Sequence, residues 1–133
     1  MKKGKRGFTL IETVVVVIIV GILAVLGITQ YGSYRESTLD KEAAANLKLI
    51  RSAERIYRME TGAYYPATGS QADIATINTN LKLDLPASAT RNWNYQVWNT
   101  GCSRATRNGD DGRSWSLAIN DADGEPNSGA GCP

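Results

Sequence analysis

At 133 residues the chain is about one domain long, which leaves little room for a multidomain enzyme. Its 42% hydrophobic and 21% charged residues and net charge of +2 look ordinary but are unevenly spread: Val14 to Ile28 holds no charged or polar side chain, and 13 of its 15 residues are hydrophobic. Without that stretch the hydrophobic share falls to about 36%. Histidine is absent, which excludes histidine acid–base catalysis, histidine metal ligation and a C-x-x-C-H haem attachment. No G-x-S-x-G element is present either, so the sequence reads as a protein that is not an enzyme.

The first seven residues, Met-Lys-Lys-Gly-Lys-Arg-Gly, carry four positive charges and no negative one, and the apolar run follows almost at once. A secretory signal peptide shares that outline. Two features oppose it: Glu12 lies inside the segment, where a carboxylate deep in a bilayer costs on the order of 2.5 to 3.5 kcal/mol, and no A-x-A-like site follows. A retained anchor fits better. Phe8 to Ile28 is 21 residues, a helix of roughly 31 Å and about the thickness of a hydrocarbon core. The basic flank then stays cytoplasmic, and everything after Ile28 lies beyond the membrane.

The hexapeptide Gly7-Phe8-Thr9-Leu10-Ile11-Glu12 after a short basic leader resembles the cleavage and methylation site of type IV pilins and the pseudopilins of type II secretion. The resemblance implies that a prepilin peptidase removes residues 1–7 by cutting between Gly7 and Phe8 and methylates the new Phe8 amine. It makes Glu12 the assembly glutamate, paired in a filament with the Phe8 amine of a neighbouring copy, and Gly21 falls where the family usually has glycine. A buried pair of that kind sets register more than it adds stability, since the cost lies in leaving either charge alone. The localisation implied is a single-pass bacterial inner-membrane protein that passes into an extracellular filament.

No proline precedes Pro66, so nothing forces the helix to stop at the membrane surface. From residue 29 to 61 the pattern turns amphipathic, with Leu39, Ala43, Leu47, Ile50, Ala53 and Tyr57 at steps of three and four. Charges occupy the other faces, and Glu54 stands four before Arg58 in the favourable order for a pair. Gly62 is a stop signal. One helix from about Phe8 to Thr61 would be roughly 80 Å long, its second half packed on a head, which is the pilin architecture. Many members have proline where this chain has Thr29; Gly27 and Gly32 flank that position and soften the helix instead.

Residues 62–133 read as the head. Residues 62–91 form a long connection with a short helix over Ile74, Ile77 and Leu81, and Tyr64 and Tyr65 anchor its start. Trp93, Tyr95 and Val97 alternate with Asn92, Asn94, Gln96 and Trp98, and Trp115, Leu117 and Ile119 with small or polar neighbours, giving strands. Ser103 to Arg107 adds another, ending in the turn Asn108-Gly109-Asp110-Asp111-Gly112. The expected fold is α+β, with an antiparallel sheet of three or four strands on the helix stripe and the tryptophans in the core.

Cys102 and Cys132 are the two cysteines, and an even count beyond a membrane suggests a disulfide. It would bound the C-terminal region as in many type IV pilins; free thiols or metal ligation are the alternatives. Asn120, Asp121, Asp123 and Glu125 resemble the opening of a calcium loop but lack the glutamate expected at position twelve, so calcium is a candidate ligand and no other cofactor is expected. The competing reading is a solvated acidic turn.

Without residues 1–7 the chain carries 11 basic and 13 acidic side chains, so its positive charge belongs to the leader and no specific nucleic-acid partner is expected. The function implied is a structural subunit of a type IV pilus, with other copies of itself, the inner membrane, prepilin peptidase and an assembly platform as partners. The alternative is a secretion or competence pseudopilin in a short periplasmic filament. Electron transfer along Phe8, Tyr31, Tyr34 and Tyr57 is a weaker reading, because anchoring and packing account for those rings.

Overall fold

A computed structural model describes residues 7–109, 112–129 and 131–133. Most of the leader and Asp110 and Asp111 of the expected turn lie outside them. Helix α1 runs Leu10–Thr61, 52 residues. It starts where Thr9 accepts at both its oxygens: the Glu12 N–H bonds Thr9 O at 3.1 Å and Thr9 Oγ1 at 3.3 Å. It ends as expected at Gly62, whose φ of 85° is left-handed and whose N–H closes onto Arg58 O at 2.8 Å. The helix continues through Thr29.

The chain divides into two compact units, one up to Thr38 and the other from Leu39 to Pro133. The second contains the core. It holds the last part of α1, β1 (Ser70–Gln71), α2 (Ile74–Leu81), β2 (Trp93–Trp98), β3 (Cys102–Arg107), β4 (Ser114–Ala118) and β5 (Asn127–Ser128). The strands form one antiparallel sheet in the order β1-β2-β3-β4-β5. Five strands stand where three or four were expected, the additions being the two-residue β1 and β5.

The α1 stripe supplies Leu39, Ala43, Leu47, Ile50 and Ala53 to the core, all buried, with Tyr57 half-buried at its end. The sheet answers with Trp93, Tyr95, Val97, Ala105 and Leu117, which share one face because side chains alternate and the registers Tyr95↔Ala105, Ala105↔Trp115 and Ser103↔Leu117 align them. Two polar groups inside are satisfied on α1: the Trp93 indole N–H donates to Leu39 O at 2.9 Å, and Asn46 Nδ2 donates to Tyr95 Oη at 2.7 Å. Burial pushes the Tyr95 phenol up to about 12, with the Asn46 bond opposing and nearby Glu42 adding to the rise.

Trp98 departs from the expectation of a core tryptophan. It points to the outer face, half-buried, with the Arg104 guanidinium 5.0 Å from its ring centre. The connection is fixed by local bonds. Asp73 caps α2 by accepting from the Thr76 N–H and hydroxyl, Lys82 closes it in a left-handed conformation with φ 53°, and Asn78 bonds both the N–H and C=O of Leu85. Ile74, Ile77 and Leu81 are buried, as their spacing predicts.

Candidate functional site

Phe8 to Ile28 is an exposed apolar segment. Fifteen large apolar side chains there, from Phe8 to Ile28, are between 43% and 83% exposed. Removing such side chains from water is worth on the order of 1 to 2 kcal/mol each. By length and composition this part of α1 can cross a membrane, and none of its most apolar stretch is buried within the chain. Gly7, Phe8 and Thr9 precede the helix, and Glu12 sits in its first turn.

Thr9 and Glu12 thus stand at the N-cap and third helical positions, the spacing at which a threonine satisfies an orphan N–H. The Thr9-x-x-Glu12 spacing itself marks a helix start, a role for Glu12 beside the assembly role that the resemblance implies. Capping fixes the orientation of the first turn, and a carboxylate there is favoured by the positive end of the helix dipole. Phe8, 82% exposed, and Glu12, also exposed, are therefore presented on an ordered helix start.

The head's C-terminal tail is held on the outer sheet face. Cys102 and Cys132 form a disulfide with Cα atoms 5.8 Å apart. Arg104 donates to Cys132 O at 2.8 Å, and Gly131 N–H donates to Ser116 Oγ at 3.0 Å. A Cβ on Gly131 would lie 2.6 Å from that same hydroxyl oxygen, so a side chain there would displace the Ser116 hydroxyl. The four candidate calcium residues do not converge. Asp121 accepts from the Ala118 N–H, Asp123 from the Glu125 N–H, and Glu125 pairs with Lys48 at 2.6 Å; Asn120 lines a surface hollow with Arg58 and Tyr64. Among the described residues no three histidine, cysteine or acidic side chains gather as metal ligands do. Arg51 instead holds this loop to α1 by donating to Ile119 O and Asp121 O.

The expected Glu54–Arg58 ion pair is replaced by other contacts. Glu54, 2% exposed, accepts the Tyr65 N–H at Oε2, while Arg58 lies over the Tyr64 ring, 4.7 Å from its centre. The i, i+4 spacing permits a pair, but the chain leaving α1 supplies both residues with other partners. The two tyrosines anchor the exit segment as expected, Tyr65 buried and within reach of Asn80.

The chain thus joins, in sequence, an exposed apolar helix start bearing one carboxylate to a small α+β head. The family described as the prokaryotic N-terminal methylation motif matches residues 2–28. A competence protein, ComGC, of Streptococcus pneumoniae is 32% identical over 74 residues, 55% of this chain and 68% of that protein. A type IV major pilin protein, PilA, of Myxococcus xanthus is 39% identical over 59 residues, 44% of this chain and 27% of that one. A type II secretion system core protein G of Pseudomonas aeruginosa is 39% identical over 67 residues, 50% of this chain and 46% of that protein. The chain thus spans less than half the length of these last two. It belongs to the type IV pilin and pseudopilin family.

Proposed function

We propose that this chain is a structural subunit of a type IV pilus. The leader is removed between Gly7 and Phe8, Phe8 is N-methylated, and α1 holds the subunit in the inner membrane until copies polymerise through it into an extracellular filament. One observation carries this reading: the apolar Phe8–Ile28 segment is left open along its length while the head buries a complete core of its own. In the filament, Glu12 meets the Phe8 amine of a neighbouring copy, which removes two charges from an apolar bundle at once. The role is structural, not catalytic.

The pilus is favoured over the pseudopilus by the Cys102–Cys132 bridge across the C-terminal tail. A pseudopilus subunit of secretion or competence is the second reading, supported by similarity to the core protein G and ComGC relatives. Mass spectrometry of subunits from sheared surface filaments tests the proposal. A chain beginning at methylated Phe8 in long filaments supports it; a chain beginning at Met1 overturns the processing, and a subunit confined to the cell envelope favours the second reading.

A further inference from the structure

Glu54 is a carboxylate placed where one is hard to ionise. It lies on the core side of α1 with 2% of its surface exposed; Oε2 has a single partner, the Tyr65 N–H at 2.9 Å, and Oε1 is buried with none. Burial, only partly offset by that one bond, raises the carboxyl to about 7.

The charged and titratable groups nearest along α1 and on the segments beside it have other engagements. Arg51, three residues before, is bonded through Nη2 to the Ile119 and Asp121 carbonyls with its Nε buried and unbonded, and Asp121 itself accepts from the Ala118 N–H. Arg55 is exposed on the next face, and Glu60 pairs with Lys82. Tyr57 meets Tyr65 edge to face with ring centres 5.7 Å apart. Arg58, four residues after Glu54 and so on its own side of the helix, is occupied by Tyr64, over whose ring it stacks and to whose Oη it donates at 2.5 Å.

Glu54 and Arg58 therefore stand at the spacing of an ion pair, yet each instead grips one of two adjacent residues, Tyr65 and Tyr64, of the segment that leaves the helix. We propose that Glu54 is a proton-controlled latch on the exit segment Gly62–Pro66. Neutral, it stays buried beneath the Tyr65 N–H while Arg58 covers Tyr64; the Tyr65 bond favours the anion but does not offset the cost of burying its charge. When its proton passes to water, the buried anion has no cation within ion-pair distance among the described residues; Arg51 is held by its two carbonyls, and the exposed Arg58 is the cation able to swing to it. That swing takes Arg58 off Tyr64, so the ionised state gains a Glu54–Arg58 pair and loosens the segment carrying both tyrosines. The two arrangements use the same groups, which makes them exclusive of each other.

Amide exchange of Tyr65 in the full chain in detergent micelles, corrected for the intrinsic base-catalysed rate, reads the latch. Because the carboxyl is raised from 4.5 to about 7 only in the latched state, protection is expected to fall roughly tenfold or more as pH rises from about 4.5 to about 7 and to level off above that. Glu54→Gln, an isostere of the neutral form, is expected to hold its protection flat over that range. Arg58→Gln removes the partner of the anion, so the fall is expected to move up by roughly half a pH unit or more. Constant protection in the wild type, an unchanged fall in Glu54→Gln, or an unmoved midpoint in Arg58→Gln each overturns the proposal. If Glu54→Gln does not fold, the Arg58→Gln midpoint decides, because that residue is exposed.

Discussion

Replacing both cysteines by serine tests how far the tail depends on its covalent tie. The bond joins residues 30 apart. In the chain-entropy account, freeing a loop of that size in the unfolded state costs the folded head about 3.7 kcal/mol. For a unit of roughly a hundred residues this corresponds to a fall of about 15 to 30 °C in Tm. The tail keeps three non-covalent ties, Arg104 to Cys132 O, Gly131 N–H to Ser116, and the β4–β5 ladder, so the sheet is expected to form in the double variant. Urea unfolding of the full chain in micelles, followed by tryptophan fluorescence, measures the difference; far-UV circular dichroism at 10 °C checks that the sheet persists. A loss under about 1 kcal/mol would mean that the non-covalent ties already confine the tail in the unfolded ensemble, and the entropic reasoning fails.

Glu12→Ala is expected to be processed and membrane-inserted at wild-type levels yet to yield few filaments, counted by electron microscopy; normal yield refutes the pairing of Glu12 with Phe8. Trp93→Phe removes the indole N–H that reaches Leu39 O and leaves space in the core, a loss of about 1 to 3 kcal/mol by the same urea assay; an unchanged midpoint would show that bond to be worthless. The Asp73 carboxyl is held below its ordinary 3.8 by its side-chain and backbone bonds from Thr76. Because the folded value is the lower one, its contribution is present above 3.8 and is lost as pH falls below it. Amide exchange in α2 is therefore expected to quicken in acid, and Asp73→Asn to lose that dependence. The Glu54 carboxyl has the opposite sign. Its folded value is raised from 4.5 to about 7, so the head is expected to be most stable below 4.5 as far as this group is concerned, and to weaken as pH rises to about 7. A Glu54→Gln variant that weakens as much as the wild type over that window contradicts the assignment.

Much of this was legible because it rests on periodicity. The α1 stripe from Leu39 to Ala53, the α2 triplet and the alternation through Trp93, Tyr95 and Val97 each follow from the geometry of one element. What stayed hidden depends on where the chain goes next. Glu54 looks like half of a surface pair until Tyr65 folds back over it. Trp98 carries as much apolar area as Trp93, but its place in the alternation puts it on the outer face, where Arg104 covers it. β1 and β5 are too short for any two-residue pattern to mark them. At the candidate site, Phe8 and Glu12 were found by resemblance, whereas the cap at Thr9 was readable from its spacing to Glu12 alone.

The short outer strands bear on how copies of this chain can join. The sheet finishes on one side in Ser70–Gln71 and on the other in Asn127–Ser128, outer strands of two residues each. α2 lies beside β2, the longer strand next to one of those ends. For a subunit that collects in a membrane before it polymerises, as the proposed function has it, short outer strands limit strand-to-strand stacking, an accidental route to a fibre. Under the proposed function growth then falls to the helix, and a polymer built that way would have one further property: its subunits could separate without unzipping a sheet. Reversibility would then be written into the head, by how little of its sheet edge is on offer.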